Sequence, residues 1–204
     1  MADIHQIEKE VIGMIKLADQ MLRTTFDGFI KHDLSLLSEV LKKEEKLNNL
    51  ERSLTLSLIE LSKQKQPEKE KGLTTALIDI IGDIEMIGDY CKDLVERIEI
   101  KIQEKLLFSQ EALEEYTHLY ELVETTLADC IKALETKDKI LASKILEARG
   151  TTDRLVDEYR HKHVDRLMKG SCDPRAGNMF LNMLDFTDDI SHHSRKIAKA
   201  IVEL

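Results

Sequence analysis

Apolar residues recur every three or four positions along nearly the whole chain. The first stripe runs through Ile7, Val11, Met14, Ala18, Met21 and Phe29. That spacing lines one face of an α-helix and predicts one over roughly 4–31. Asp33 then reads as an N-cap, since its carboxylate can accept from the free N–H groups of a new first turn. Leu36, Val40, Leu47, Leu54 and Leu58 form the second stripe and predict a helix to about Gln64. A third helix is expected from about Thr74 to Gln103. Phe108-Ser109 interrupts the pattern, with Ser109 as the next cap, and Leu113, Tyr116, Val123, Leu127, Cys130 and Leu134 mark a fourth helix. Asp138 caps a fifth that ends near Lys169-Gly170. A sixth runs from about Arg175 to the C-terminus. No stretch alternates as a half-buried strand would, so the expected fold class is all-α, with six long antiparallel helices.

The helices fall into two trios. Asp33 and Asp138 both open the middle helix of a trio, at an offset of 105 residues. At that offset Leu36 pairs with Leu141, Val40 with Ile145, Leu41 with Leu146 and Leu50 with Leu155. In the third helices the offset is 103, pairing Glu85 with Asp188, Ile87 with Ile190 and Leu94 with Ile197. Pro67 and Pro174 mark the same loop in each half. The reading is a tandem duplication of a three-helix unit, giving two pseudo-symmetric three-helix bundles over 1–105 and 106–204.

Composition agrees and narrows the function. Aromatic residues are 4% of the 204, Trp is absent, and there are 2 Pro and 8 Gly, which argues against a β-sandwich or barrel. The net charge is −9, so nucleic acid and anionic lipid are disfavoured as partners. No uncharged run approaches the roughly 18 residues of a membrane span. The start, MADIHQIEKEV, lacks a cationic segment followed by an apolar block, so a cytoplasmic location is expected, with no direct insertion into a membrane. Cys91, Cys130 and Cys172 have no CxxC spacing. They read as reduced thiols, the first two as core filler and the third in a loop.

Candidate chemistry lies in acids that sit close to apolar stripes. At about 100° per residue, Glu44 and Glu51 project within about 60° of the centre of the second stripe, with Asn48 between them. On the third helix Glu85 and Asp89 are four apart and share a face. A buried carboxylate is costly unless paired or ligated. A bundle that faced these two groups would gather hard oxygen donors suited to Fe, Mn, Mg, Ca or Zn. An ordinary acid-rich face, bridged to Lys43, Lys46 and Arg52, is the competing reading. The second half offers Arg149, Asp153 and Val156 on the middle helix, with Asp188 and His192 on the last. Arg149 is a cation and Val156 cannot ligate, so any metal is expected to fill the first site more fully. His193 points about 100° from His192 and is expected in solvent. Two ExxH pairs, Glu115 with His118 and Glu158 with His161, match the di-iron pattern, but ideal helix angles turn both away from the apolar stripes. His32-Asp33 reads as a cap. No phosphate loop, GxSxG, GxGxxG or nucleophile–base set is present, and the chain is not expected to be an enzyme.

The third helices carry a family resemblance. LIDIIGDIEMIGDYCKDLVERI resembles the signature helix of PhoU-like phosphate-regulatory proteins, through Asp83-Ile84-Glu85-Met86-Ile87-Gly88-Asp89. EEKLNNLERSL, from Glu44 to Leu54, looks like the helix before it. The stretch HKHVDRLMKGSCDPRAGNMFLNMLDFTDDISHHSRKIA resembles the second repeat. It looks closest to the version at the cytoplasmic C-terminal end of bacterial Na⁺/phosphate cotransporters. The resemblance covers nearly the whole chain. It implies the duplicated three-helix fold, a role in regulating phosphate uptake and, in some members, carboxylate-bound metal. Matched position by position, the implied ligands are Glu44, Asn48, Glu51, Glu85 and Asp89, with Asp188 and His192 in the second repeat. The implied metal is iron, or else Mn, Zn or Mg. The implied partners are a phosphate transporter or a phosphate-sensing membrane protein, at the inner face of the plasma membrane, with a homodimer also allowed. Two other readings stay open. One is the excised regulatory domain of such a cotransporter, against which Met1 argues mildly. The other is a metal-dependent helical-bundle enzyme of the di-iron type.

Overall fold

A computed structural model describes residues 3–64 and 67–204, the side chains of residues 68, 69 and 149 apart. Seven helices occur among the described residues: α1 (Ile4–Lys31), α2 (Leu34–Ser62), α3 (Glu68–Gln103), α4 (Gln110–Thr136), α5 (Lys139–Glu147), α6 (Arg149–Met168) and α7 (Pro174–Glu203). The caps fall where the sequence places them. Asp33 accepts from the amides of Ser35 and Leu36, Asp138 from those of Ile140 and Leu141, and Ser109 from that of Ala112. The residues just before two of these caps, His32 and Lys137, adopt left-handed φ values of 52° and 54°. The two turns therefore match in conformation as well as in sequence.

Two boundaries differ from expectation. α3 begins directly after Pro67 rather than near Thr74. A charged first turn with no apolar face carries no periodic signal, and proline at a helix head costs nothing because the first amides lack partners. The fifth expected helix is broken at Ala148, which ends α5 and precedes α6. Gly150-Thr151-Thr152 follows at once, and glycine and β-branched residues weaken a helix there. Taking α5 and α6 as one broken arm, the molecule is the expected pair of three-helix bundles.

α1, α2 and α3 pack together, as do α4, the α5–α6 arm and α7; α3 lies along α7 and α1 along α4 to join the trios. Among the described residues, α2 touches only α1 and α3, and the broken arm only α4 and α7. The middle helices are thus outer flanks, and α3 and α7 form the seam. One continuous core runs through both trios, from Val11, Met14 and Ala18 through Ile80, Ile84 and Ile87 to Leu127, Phe180 and Ile197. Cys91 and Cys130 are buried in it, and burial pushes the Cys130 thiol up to about 12. The close approach of α2 to α3 depends on Gly88, where a Cβ would overlap Leu47 Cδ2.

Candidate metal centre

The acids of the first repeat meet across the α2–α3 contact. Glu44 is buried, and its Oε1 accepts from Asn48 Nδ2 at 2.8 Å and from Lys92 Nζ at 3.3 Å. Glu51 accepts from Thr55 Oγ1 at 3.3 Å. Burial, then the neighbouring charges of Asp89, Glu51 and Glu44, hold the Glu85 carboxyl above its ordinary range. All four acids named from the sequence therefore share one electrostatic neighbourhood. Asn48 Oδ1 is buried and accepts no hydrogen bond. Among the described residues, no three His, Cys, Asp or Glu side chains converge tightly enough to hold an ion as they stand.

The second repeat is built differently. Asp188 sits with His192 on α7, and burial is the main cause lifting the Asp188 carboxyl. Its Oδ1 also lacks a partner. Arg195 lies within the same cluster, its side chain 9% exposed. It donates to Asp153 Oδ1 at 3.1 Å and to Ser191 Oγ at 2.9 Å. Val156 is in the core. The side chain of Arg149 lies outside the described residues. Burial first, and then His193, Arg195 and Lys196, pull the His192 imidazole down.

Two other expectations need correction. His193 is not in solvent: its Nδ1 lies 2.8 Å from Asp83 Oδ1, which also pairs with Lys196. α7 buries two sides, one within its own trio and one against α3, and His193 lies on the second. Glu115 does not face outward either. It forms a two-pronged pair with Arg166 at 3.0 and 2.6 Å, because α6 covers that side of α4. His118 Nδ1 lies 2.6 Å from the Tyr159 hydroxyl. His161 contacts its own helix, at the Asp157 carbonyl, and Glu158 pairs with Lys162. The two ExxH pairs are thus tied up separately.

Some residues escaped the sequence reading. Lys101 is buried with Nζ 3.0 Å from His32 Nε2 and 5.3 Å from the ring centres of both Phe29 and Phe108. Burial pulls its ammonium down. His163 is buried and stacks on Phe180 with centroids 4.5 Å apart. Arg195 was missed as well, although the 103-residue offset that matched Glu85 to Asp188 also matches Lys92 to it.

Comparison with known proteins decides the family. The model of the PhoU domain matches residues 11–98 and again residues 116–201. The chain belongs to the PhoU family. Among curated relatives, the phosphate-specific transport system accessory protein PhoU homolog of Aquifex aeolicus is 23% identical over 85% of this chain and 76% of its own length. The PhoU homolog of Pseudomonas aeruginosa is 23% identical over the full chain and 84% of its own. The crystal structure of PhoU from Pseudomonas aeruginosa superposes with a TM-score of 0.90 at 21% identity, covering 97% of this chain and 94% of that one. The phosphate transport system regulatory protein PhoU from Streptococcus pneumoniae gives 0.87 at 16% identity, covering 98% and 93%. The PhoU fold is therefore shared along the whole length.

The metal implied by PhoU resemblance fits the two repeats unequally. The first presents hard oxygen donors, mutually repelling carboxylates and an orphaned Asn48 oxygen, the donor chemistry of a hard cation. In the second, a guanidinium already neutralises Asp153, and Val156 removes a donor; that set does not fit.

Proposed function

We propose that this PhoU family member regulates phosphate uptake from the cytoplasm, by contact with a phosphate transporter or a phosphate-sensing membrane protein. The observation that carries the reading is the PhoU domain match in both halves of the chain. The names of the relatives support it, since they are accessory proteins of phosphate-specific transport. Among the described residues no helix is long and apolar enough to cross a membrane, so the contact with the membrane would run through such a partner. Glu44, Glu51, Glu85 and Asp89, with the Asn48 oxygen, would hold iron, or manganese, zinc or magnesium, at the α2–α3 flank. The ion would supply positive charge that relieves the repulsion around Glu85. Lys92 supplies part of that compensation from the protein itself.

Deletion of the gene tests the regulatory reading. Phosphate uptake and accumulation are expected to change, and to return when the chain is restored. Unchanged uptake in phosphate-replete and phosphate-starved cells would sink it. The metal reading has its own test. Elemental analysis of Glu85→Ala/Asp89→Ala is expected to show most bound metal lost, and of Asp188→Ala/His192→Ala little. Equal losses, or a wild-type chain without metal after reconstitution with iron, manganese and zinc, would overturn it.

A further inference from the structure

The two acid clusters correspond residue by residue. At the offsets set by the caps and the third helices, Asn48 matches Asp153, Gly88 matches Ser191 and Lys92 matches Arg195. Lys92 and Arg195 do the same job in their own repeats. Each springs from the third helix and reaches back to a carboxylate of the middle helix, Glu44 or Asp153. The seating differs. The Lys92 side chain is 43% exposed and makes its contact at 3.3 Å. The Arg195 side chain is 9% exposed and held at two points, Asp153 and Ser191. Both points are absent from the first repeat, where Asn48 carries no charge and Gly88 has no side chain. At the same offset the sequence puts Thr152 where the first repeat has Leu47, which fills the space over Gly88.

We propose that Arg195 is the built-in counter-cation of the second cluster, and that it keeps metal ions away from Asp153, Asp188 and His192. A guanidinium holds its charge at any working pH and bonds through a planar fork, so a site that fits it is filled permanently. A divalent ion entering the cluster would have to displace that fork from two acceptors and leave a buried cation beside it, which is doubly unfavourable. Asp188 remains in this cluster with one unpartnered oxygen, and Arg195 draws its carboxyl back toward the charged form. Lys92, nearly half exposed and holding Glu44 through a single contact, leaves its cluster open. The second repeat therefore carries a buried counter-cation of its own where an ion would otherwise sit, rather than being merely an eroded copy of the first.

Manganese(II) titrated into the ¹⁵N-labelled chain tests this, read as paramagnetic broadening of backbone amide signals. In a Glu85→Ala/Asp89→Ala background, which empties the first cluster, signals from Ser191 to Arg195 are expected to stay sharp. Arg195→Gln is expected to broaden them, with about one further manganese bound per chain. Arg195→Lys, which keeps the charge, should broaden them less than Arg195→Gln does. Arg195→Met keeps the apolar stem and serves if the glutamine variant loses its helical circular dichroism. Broadening of Ser191–Arg195 in that background with Arg195 intact would overturn the proposal, as would sharp signals there in a folded variant that also lacks the Arg195 charge. The proposal is separable from the metal reading of the first repeat. Sharp signals from Gly88 to Lys92 in the wild type would sink that reading alone, because the Arg195 variants are read with the first cluster removed.

Discussion

Gly82 and Gly88 stand on the same helix and answer opposite demands. A Cβ at Gly82 meets nothing within 4 Å, whereas one at Gly88 overlaps Leu47, itself fully buried. Gly82→Ala should therefore stabilise the chain by about 0.5–1 kcal/mol through helix propensity alone. Gly88→Ala gains the same propensity but overpacks the α2–α3 contact at a cost of about 1–3 kcal/mol, so a net loss is expected. Urea unfolding of the two variants checks both signs. Combining Gly88→Ala with Leu47→Ala should cost less than the two losses added, since each relieves the other. Glu85 makes a pH-dependent prediction. Its folded pKa lies above the ordinary 4.5, so the native state binds that proton more tightly than the unfolded chain does. The stabilisation is complete below the unfolded pKa and is lost as pH rises through the folded one. In metal-free protein, Glu85→Gln should thus raise the melting temperature at pH 7 and change it little at pH 4. The reverse order would contradict the repulsion described for this cluster. Sequence periodicity could place Glu44, Glu51, Glu85 and Asp89 near their stripes, because one helix face is a local property. It could not show Arg195 or Asp83–His193, whose partners lie on other helices. Those pairings depend on which sides of α7 are covered, and no single stripe records that.

Among elements, the broken arm is the clearest departure from repeat symmetry. α2 runs unbroken from Leu34 to Ser62, while its counterpart stops at Ala148 and restarts. Amide hydrogen exchange should be faster over 146–152 than over the matching 41–47, because the break leaves fewer continuous backbone bonds to protect. Equal protection would mean that tertiary contacts with α7 hold the break shut. Nothing lies within 4 Å of a Cβ at Gly150, so Gly150→Ala should narrow the difference. The number and order of the helices were legible because caps such as Asp33, Asp138 and Ser109 are local chemistry. The early start of α3 was not, since a charged turn behind a proline has no period to read.

At the scale of the whole molecule, the trios are joined by two kinds of contact. Along α1 and α4, Phe26 stacks on Tyr120 with centroids 3.7 Å apart, and Phe29 meets Tyr116 edge-on at 5.2 Å. Lys16–Glu135, Arg23–Glu124 and Lys137–Glu8 bridge the same helices. The exposed members of those bridges add little, whereas the aromatic pairs and the shared core add much. Both halves should therefore unfold together. Urea curves followed by circular dichroism and by tyrosine fluorescence are expected to coincide. Two separated transitions would show that the halves are independent.

The seam of α3 and α7 carries one more consequence. The 103-residue offset exchanges Tyr90 with His193 and Asp83 with Phe186. On one side of the seam His193 holds Asp83 at 2.8 Å, and on the other Tyr90 lies 6.2 Å from Phe186. α3 and α7 hold matching places in the two trios, but a visitor to this ridge meets different side chains on each. It finds Lys196, half exposed over buried Asp83, at one hand and two partly buried rings at the other. A docking surface with its own twofold axis could satisfy only half of itself here. A duplicated scaffold furnished in this way has a front and a back, and it can be seated in one direction only.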